Sequence, residues 1–490
     1  MKNRNTDMNL SRRNFFIGSM AVAALGARRM FADPVGAVTG TPRLKVGVLS
    51  DIHVRDEASQ KYFIKALEWY RAQGVDAVLV AGDMADWGLV RQLKLVADAW
   101  FQVFPDNKTP EGRPVCQLLQ YGNHDVADWR AKDFKDEAER AANMIRYDPK
   151  KFWEAHFHEA YEPVFRKEMK GYSFVGAHWP AVNGPQVEAW FKAHGKDLDP
   201  AKPFLYFQHP HPKDTCYGPW AWGHDNGQAT AALNPFPNAI ALSGHSHYTL
   251  TDERTVWQGA FTSIGTSSLS YTSLDYNCRE NAPGNNFGRG DGRKRQMDRM
   301  PTWNGKQGML FTYCDDHIRI ARHEFVWGES LGDDWILPIG KAAETPFVYA
   351  KRKPVRVAPE FPEGAAVKVA LVEPKPAKDA KPDAPKPAPT QVAVTFPAAE
   401  PRAKCRVFEY EIQAVMVADD VEMVLTTRRA LAPDFYLPAS QCGKPGSCVF
   451  PLSDLPPNAP VRFDVTPIEC FGKKGRTIRA AEPFTAPKKG

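Results

Sequence analysis

The sequence of 490 residues lacks three features that would each have indicated a class of protein. Its eight cysteines include no Cys-x-x-Cys pair and no Cys/His ligand spacing, which excludes zinc bound by sulfur. The uncharged run at residues 14–27 is shorter than the about 20 apolar residues of a membrane-spanning helix, so no integral membrane anchor is predicted. A basic stripe is also missing. Residues 1–32 hold six Arg or Lys and one acidic residue, a net +5, so about +1 of the formal +6 belongs to the rest. We therefore do not expect nucleic acid as a partner.

Five short polar motifs are present in the first half of the chain. They are Asp51-Ile52-His53, Gly82-Asp83, Gly122-Asn123-His124-Asp125, Gln208-His209-Pro210-His211 and Gly244-His245-Ser246-His247. Together they supply imidazole nitrogens, carboxylate oxygens and an amide oxygen, which are ligands that first-row metals take in proteins. One such motif arises often by chance, whereas all five in this order predict a metal site.

Each motif directly follows a short run rich in β-branched and aliphatic residues, as buried strands require. These runs occupy residues 44–50, 77–81, 115–121, 204–208 and 239–243. Between the first two runs, apolar residues recur on one helical face until Gly74, and a second helix is predicted over residues 89–100. Alternating strands and helices predict βαβ units, whose polar residues meet at the carboxyl ends of the strands.

With these motifs the chain resembles the calcineurin-like metallophosphoesterase superfamily over roughly residues 43–330. The resemblance implies an α/β fold, a β-sandwich with flanking helices in four αββα layers, and two divalent ions (manganese, iron or zinc). The ligands it implies for one ion are Asp51, His53, Asp83 and His247, and for the other Asp83, Asn123, His209 and His245. Asp83 would bridge both ions, because cations about 3.5–4 Å apart need a shared anion. A hydroxide held between the metals would be the nucleophile.

His124 and Asp125 are expected to act in catalysis rather than to bind metal. In the family, the histidine of the G-N-H-[DE] motif lies beside the phosphate and stabilises charge or protonates the leaving oxygen. The resemblance implies that Asp125 fixes the tautomer of His124 and raises its basicity. Gly82, Gly122 and Gly244 stand where a strand turns abruptly toward a ligand, a position that favours positive φ.

At two positions this sequence differs from the motifs of well-known families in the superfamily, which narrows the choice among them. Purple acid phosphatases carry a tyrosine ligand three residues after the bridging aspartate, where this chain has Asp86. Ser/Thr protein phosphatases carry a phosphate-binding arginine where this chain has Trp87. The chain is therefore most similar to the bacterial phosphodiesterase-like branch, which includes enzymes for cyclic nucleotides and glycerophosphodiesters but does not specify a substrate.

The N-terminal region carries an export signal. Its segment Ser11-Arg12-Arg13-Asn14-Phe15-Phe16 matches the twin-arginine motif, and an uncharged run and two further arginines follow. The small-residue rule allows cleavage after Ala32 or Ala37 and slightly favours Ala37. We therefore expect residues 1–37 to be a twin-arginine signal peptide and the protein to be periplasmic or secreted.

In an exported protein, cysteines are candidates for disulfide bonds. Cys442 and Cys448 bracket a short Gly/Pro loop and are the best candidates, followed by Cys405 and Cys470. Cys116 lies in an apolar run, and we interpret it as a buried free thiol.

Residues 355–490 are predicted to form an all-β sandwich after a metallophosphoesterase domain at residues 43–350. Strand-like runs occur at residues 407–417, 422–426 and 461–465, between Pro, Gly and Asn turns. The end of this region resembles a fibronectin type III domain, although Val461 stands where such domains usually carry a corner tyrosine. The Pro/Lys/Ala-rich segment 374–390 fits either a loop between two strands of one domain or a linker, and we favour the loop.

Two irregular stretches are candidates for the walls of the cleft. Residues 210–226 carry Tyr217, Trp220, Trp222 and His224, and both substrate contact and packing of the loop remain open for these aromatic residues. Residues 281–296 are rich in Gly and Asn with four basic residues, and we interpret them as a solvated loop.

Three hypotheses about function follow. The first is an exported hydrolase that acts on a small phosphorylated substrate, a phosphomonoester or a phosphodiester. The second is a nuclease of the same superfamily, which the missing basic stripe disfavours. The third is a non-catalytic metal-binding or adhesion protein, which the complete ligand set and His124 disfavour.

Overall fold

The computed structural model describes residues 40–182, 184–217, 224–274, 280–282, 286–288, 300–302, 304–340, 345–374, 387–400, 406–418 and 421–487. The twin-arginine motif, Trp220, Trp222 and Cys405 lie outside these ranges, as do most residues of segments 281–296 and 374–390. Residues 40–490 group into one compact unit. Among the described residues, no helix has the length and apolar character needed to cross a membrane.

Most of the first seven strands of the described chain are separated by helices, and further strands and one short helix follow up to residue 352. The strands are β1 (Leu44–Leu49), β2 (Ala77–Val80), β3 (Cys116–Leu119), β4 (Val164–Met169), β5 (Tyr172–Ala177), β6 (Phe204–Phe207), β7 (Ala239–Ser243), β8 (Val256–Gln258), β9 (Thr262–Gly265), β10 (Thr272–Leu274), β11 (Glu280–Ala282), β12 (Asn286–Gly288), β13 (Met300–Thr302), β14 (Gln307–Tyr313), β15 (His317–Glu324), β16 (Glu329–Ser330) and β17 (Trp335–Pro338). The helices are α1 (Glu57–Gln73), α2 (Val90–Val103), α3 (Glu137–Asn143), α4 (Pro149–Phe157), α5 (Trp179–Val182), α6 (Gln186–His194), α7 (Gln228–Leu233) and α8 (Tyr349–Arg352). The five strands expected before the motifs are confirmed, as β1, β2, β3, β6 and β7.

Two mixed sheets form the centre of this part of the molecule. The first has the order β16-β15-β14-β1-β2-β3, with β17 paired to β15, and the second has the order β4-β5-β6-β7-β9-β8. Within them, β1, β2 and β3 run parallel to one another, and so do β5, β6, β7 and β9. The carboxyl ends of the parallel strands therefore lie at one edge of each sheet, as βαβ units require.

The sheets and helices form four layers, as the resemblance implies. Apolar residues of β1 and β2 such as Val46 and Leu79 pack against Leu205 and Leu242 of the second sheet. The opposite face of the first sheet packs against α1, α2 and α4, and the opposite face of the second sheet packs against α6 and α7. Both sheets are thus buried on two faces, which explains their nearly continuous apolar strands.

Helix α1 illustrates how the local sequence sets an element. Its buried residues are Phe63, Ala66, Leu67 and Tyr70, the residues of one face at helical spacing. A capping box between Asp56 and Ser59 begins the helix, and Gly74 with φ 71° ends it. The Tyr70 hydroxyl lies 2.9 Å from the Val48 carbonyl oxygen and 3.0 Å from that of Met309, which fixes α1 on the first sheet.

The C-terminal region is all-β. Its strands are β18 (Lys368–Leu371), β19 (Gln391–Phe396), β20 (Val407–Ala418), β21 (Val421–Leu431), β22 (Gly446–Pro451), β23 (Pro460–Glu469), β24 (Ile478–Arg479) and β25 (Phe484–Thr485). They form a sheet β18-β19-β22 and a sheet β21-β20-β23-β24, with β25 paired to β23, around one apolar core. Because β18 and β19 pair antiparallel, the Pro-rich segment between them connects two strands of one sheet.

The C-terminal sheets contact the N-terminal layers directly. The Arg254 guanidinium pairs with both Asp252 carboxylate oxygens, donates to the Cys470 carbonyl oxygen at 2.6 Å and lies 4.3 Å from the Phe408 ring centroid. A buried arginine needs such partners, because an unpaired charge out of water is costly.

The cysteines differ from the disulfide expectation. Cys442 and Cys448 are both free: Cys448 is buried on β22, whereas Cys442 is exposed in the preceding loop. Cys470 is also free and buried. Cys116 is a free, partly buried thiol, and burial raises its pKa to about 11. The proposed Cys442–Cys448 pair is therefore wrong for this structure.

Candidate metal centre

Residues from all five motifs meet at the carboxyl ends of the parallel strands. Asp51 and His53 follow β1, Asp83 follows β2, Asn123 follows β3, His209 follows β6, and His245 and His247 follow β7. Strand order brings these ends together across the two facing sheets. Residues spread over about 200 positions of sequence thus form one cluster.

Left-handed backbone conformations turn most of these side chains inward. The residues with positive φ are Asp51 (49°), His53 (47°), Asp83 (54°), His245 (67°) and His247 (57°). Such conformations are uncommon for residues other than glycine and cost about 1–3 kcal/mol each, so they persist only where the surroundings hold them. Part of that support comes from backbone hydrogen bonds: the N–H of Asp51 donates to the Gly82 carbonyl at 3.0 Å, and that of His53 to Asp83 at 3.0 Å.

The first ligand set lies together. Asp51 Oδ1 is 2.9 Å from His247 Nε2, and His53 Nε2 is 3.2 Å from His247 Nε2. Ligand atoms of Asp51, His53 and His247 all lie within 4.8 Å of one another. Asp83 Oδ2 is 3.8 Å from His53 Nε2, so the fourth proposed ligand adjoins this group.

The second set surrounds the other side of Asp83. His209 Nε2 lies 3.0 Å from Asp83 Oδ2, and His245 Nδ1 lies 3.2 Å from Asn123 Oδ1. The ring centroids of His209 and His245 are 5.2 Å apart. The same Asp83 oxygen therefore faces a histidine of each set, as a bridging ligand would.

The donor set fits divalent metal ions. The Nδ1 of His209 donates to the Ala81 carbonyl oxygen at 2.8 Å, so the lone pair of the neutral ring is on Nε2. That buried Nε2 forms no hydrogen bond, although a carboxylate oxygen lies 3.0 Å away. The Nδ1 of His247 likewise bonds the Tyr271 carbonyl oxygen at 3.0 Å and leaves Nε2 facing Asp51. When the lone pairs of imidazole nitrogens and carboxylate oxygens face one another in a buried site, a cation is needed between them.

The titration behaviour shows the same need for positive charge. Burial alone would lower the pKa of His209, but the carboxylates of Asp83 and Asp51 outweigh it and raise that pKa to about 9. Burial likewise opposes protonation of His53, yet the nearby carboxylates of Asp51 and Asp86 bring its pKa well above the usual value. Burial alone would raise the pKa of Asp51, but the nearby His247 and His209 hold it well below its ordinary value. The site thus has the electrostatic character of a cation site.

Asp125 differs from the expectation. Its carboxylate accepts hydrogen bonds from the backbone N–H groups of Gly122 (2.7 Å), Met84 (3.2 Å) and Ala85 (2.6 Å). Burial, followed by the charge of Asp83, raises its pKa to about 7. The expected bond from Asp125 to the His124 ring is therefore wrong. Asp125 instead joins the loop after β2 to the loop after β3, because neighbours in sequence need not be neighbours in side-chain contact.

His124 is oriented by a different residue. Its Nδ1 donates to the backbone carbonyl oxygen of Asp86 at 2.8 Å, which fixes the tautomer, and its backbone N–H donates to Asp83 Oδ1 at 2.9 Å. Its Nε2 lies 3.9 Å from Asp83 Oδ2, and the side chain is 26% exposed. His53, His209 and His247 are at most 5% exposed by comparison. His124 also groups with His53 and Asp83 within ligand distance, so geometry alone does not separate it from the candidate metal ligands.

Sequence reasoning missed two supporting residues. Asp86 lies 2.9 Å from His53 Nδ1 and accepts a hydrogen bond from Arg55 Nε at 2.9 Å. The D-x-x-D spacing from Asp83 to Asp86 was its signal. Tyr271 supplies the carbonyl oxygen that orients His247, and no sequence signal marked it, because it comes 24 residues later. Such partners fix ring orientation and ligand basicity.

The motif glycines are required mainly because neighbouring loops approach their backbone too closely for a Cβ atom. Only Gly82 has positive φ, at 87°, as expected. A Cβ on Gly122 would lie 2.2 Å from Asp83 Oδ1, and a Cβ on Gly244 would lie 1.8 Å from Ser50 Oγ. The expectation of positive φ at Gly122 and Gly244 is wrong, and the sequence needs glycine there because the ligand loops touch.

The candidate walls of the cleft separate into two kinds of residue. Tyr217 is fully buried and packs against Tyr248, with ring centroids 4.5 Å apart, so it serves packing of the loop. His224 lies at the site, with its ring 5.2 Å from that of His245 and 5.0 Å from that of Trp179. Trp179 and Trp129, which sequence reasoning did not single out, also line the site.

Comparisons with known proteins agree with the domain type. Residues 44–249 match the family model described as calcineurin-like phosphoesterase. No curated protein matches the chain significantly. The family match includes every residue of the cluster and ends before the C-terminal strands.

Several solved structures are similar to part of the chain. A dimetal phosphatase from Danio rerio has 12% identity, with 61% of this chain and 100% of that chain covered, at a TM-score of 0.35. GAP50 of Plasmodium, described as the anchor in the inner membrane complex, has 13% identity, with 61% and 89% covered, at a TM-score of 0.35. A predicted phosphoesterase from Streptococcus pneumoniae has 13% identity, with 60% and 97% covered, at a TM-score of 0.25. At TM-scores below 0.5, these likenesses support no inference about activity.

Proposed function

We propose that this chain, whose residues 44–249 form a calcineurin-like metallophosphoesterase domain, hydrolyses phosphate esters with two bound divalent metal ions. One observation carries the proposal. The Oδ2 atom of Asp83 lies 3.0, 3.8 and 3.9 Å from the Nε2 atoms of His209, His53 and His124. A buried carboxylate oxygen that faces a histidine of each proposed ligand set, His209 and His53, is what a bridging ligand requires.

The chain's own residues divide into two ligand sets under this proposal. Asp51, His53, Asp83 and His247 would hold one ion, and Asp83, Asn123, His209 and His245 would hold the other. When bound, such ions supply an activated water as nucleophile and offset the negative charge of the phosphate. The backbone carbonyl groups of Ala81 and Tyr271 keep the ligand nitrogens of His209 and His247 directed inward.

His124 acts on the leaving oxygen. The Asp86 carbonyl holds its Nδ1 proton, so Nε2 is the atom directed toward the reacting phosphate. A protonated Nε2 donates to the leaving oxygen as the ester bond breaks, and a charged ring also stabilises the phosphate. Asp125 has a positioning role, because its three backbone hydrogen bonds connect the loops that carry Asp83 and His124.

The activity test compares p-nitrophenyl phosphate with bis-p-nitrophenyl phosphate across added manganese, zinc and iron. Metal-dependent hydrolysis of either ester supports the proposal, and the preferred ester distinguishes a monoesterase from a diesterase. Asp83→Asn should lose nearly all activity and part of the bound metal, since a neutral amide does not offset two cations. Asp98→Asn is the control, because Asp98 is a surface residue paired with Lys94. Two metal equivalents on a fully active Asp83→Asn variant would contradict the bridging role.

We further propose export by the twin-arginine route to the periplasm or medium. Its support is the Ser11–Phe16 motif with the uncharged run behind it. Changing Arg12 and Arg13 together to Lys should leave uncleaved protein in the cytoplasm. Unchanged export of that variant would refute the interpretation of the N-terminal segment.

A further inference from the structure

Trp129 is a large apolar side chain left half in water beside the reactive histidine. It is 50% exposed, and its ring centroid lies 4.4 Å from that of His124 at an interplanar angle of 79°. His124 is 26% exposed and His245 is also only partly buried, whereas His53, His209 and His247 are nearly fully buried. A half-exposed indole therefore lies beside the partly exposed His124.

The loop that carries Trp129 is held on both sides. Before it, the Ala127 N–H donates to the His124 carbonyl oxygen at 3.3 Å, and Asp128 pairs with Arg146. After it, the Arg130 guanidinium lies 4.9 Å from the Trp87 ring centroid, and the Ala131 N–H donates to the Asp128 carbonyl oxygen at 2.9 Å. The indole is thus presented from an anchored loop, and its exposure is a fixed feature of the cleft rim.

We infer that Trp129 binds the leaving group of the phosphoester, and that the site prefers leaving alcohols that carry a flat ring, such as an aryl, benzyl or nucleoside group. This inference rests on the proposed function. A leaving oxygen protonated by His124 lies within about 3 Å of Nε2. Asp83 Oδ2 lies 3.9 Å from that nitrogen and the His53 ring lies 4.4 Å from the His124 ring, so we place the carbon attached to the leaving oxygen on the other side of His124, beside Trp129. A planar group there can bury part of the exposed indole surface by stacking.

The other aromatic wall serves a different part of the site. The Trp179 ring lies 5.9 Å from His209, 6.2 Å from His245 and 5.0 Å from His224, which places it beside the second ligand set. It comes from α5, whereas Trp129 comes from the loop after β3. Leaving-group preference is therefore assigned to Trp129 and not to Trp179.

The test uses ligands that differ only in a ring. Benzyl and methyl phosphate have leaving alcohols of nearly the same acidity, so a difference between them reports contact with the ring and not leaving-group chemistry. Their kcat/KM values are measured as monoesters and as symmetric diesters on the metal-loaded full chain. Calorimetric binding of benzylphosphonate and methylphosphonate gives a second measurement that needs no hydrolysis. The variants are Trp129→Leu and Trp129→Phe, and Tyr147→Leu is the control because Tyr147 is a similarly exposed aromatic residue at 40%.

The expected result is specific to the ring. Trp129→Leu should lower kcat/KM for the benzyl ester and the affinity for benzylphosphonate about tenfold, within the range of aromatic stacking, and change the methyl compounds less than twofold. Trp129→Phe should retain most of the preference, and Tyr147→Leu should retain all of it. Equal losses for benzyl and methyl compounds would show that Trp129 only positions His124 and would overturn the inference, as would no loss at all. If no ester is hydrolysed, the proposed function fails, while the phosphonate ratio still decides whether Trp129 binds rings.

Discussion

Gly122→Ala tests whether the spacing of the loops sets the metal centre, because it removes no ligand. The added Cβ would lie 2.2 Å from Asp83 Oδ1, 2.4 Å from the Asp83 backbone nitrogen and 2.9 Å from Asp83 Cγ. Ordinary contact distances exceed 3.4 Å. Rotation of the Asp83 side chain does not relieve the contact with its backbone, so one of the two loops must move by about 1 Å.

A displacement of that size has a predictable cost. Misplacement of reacting groups by about 1 Å lowers rate by about 10²-fold, and loss of a supporting contact lowers metal affinity by about 10–100-fold. The shift also strains the bond from the Gly122 N–H to Asp125 Oδ2, which is 2.7 Å in the structure. We therefore expect a loss of about 10²-fold in kcat/KM together with weaker binding of at least one metal ion.

The assay combines metal content by elemental analysis, hydrolysis of p-nitrophenyl esters and a thermal melt. Gly112→Ala is the control, because its Cβ would meet nothing within 4 Å, although its φ of 83° carries a small strain. That variant should keep its metal and activity. If Gly122→Ala retains two metal equivalents and near-normal kcat/KM, the cluster tolerates displacement of Asp83, and the close approach of the loops is not what fixes the site.

Two further predictions concern histidines of different kinds. His124→Ala should keep both metals yet lower kcat by roughly 10²–10⁴-fold. The loss should be larger on alkyl esters, because the p-nitrophenolate leaving group needs the least help from a proton donor. Normal kcat on alkyl esters would refute the acid role. His178 is buried and accepts the Tyr121 N–H at 3.1 Å, and burial, followed by the charge of Lys167, lowers its pKa to about 3. The folded chain therefore binds this proton less readily than the unfolded chain, so the stability contribution is complete above about pH 6.5 and is lost as the pH falls toward 3. At pH 5 about 2 kcal/mol of this stabilisation is lost. In chelator-treated protein, His178→Gln should therefore reduce the drop in unfolding free energy between pH 7 and pH 5 by about that amount. Equal drops in the variant and in the unsubstituted protein would contradict the assignment.

Local sequence determined the elements and the identity of most site residues. The strand before Asp51 and the buried face of α1 follow from periodicity over a few residues, and Gly74 ends that helix because it adopts positive φ without steric cost. The motif residues then fall at strand ends, where parallel strands converge. These are short-range effects, so the sequence alone was sufficient for them.

Partners of the site residues could be decided only by the tertiary structure. Asp125 follows His124 in sequence but bonds backbone of the loop after β2, while the His124 ring bonds Asp86. Tyr271 orients His247 because a distant loop returns to the site. Positive φ at the ligands also depends on contacts between segments, since no local pattern compensates the strain.

The cysteines and the proposed ligands show the same difference between what local sequence determines and what tertiary structure decides. Cys442 and Cys448 are close in sequence, yet β22 holds one buried while the other stays in an exposed loop, so proximity along the chain did not produce a bond. The ligand set needed no such contact to be recognised, because the chemical type of each side chain and its place after a strand are local properties. The sequence thus determined which residues are the candidate ligands and at which strand ends they lie, and packing between distant segments decided how each one is held.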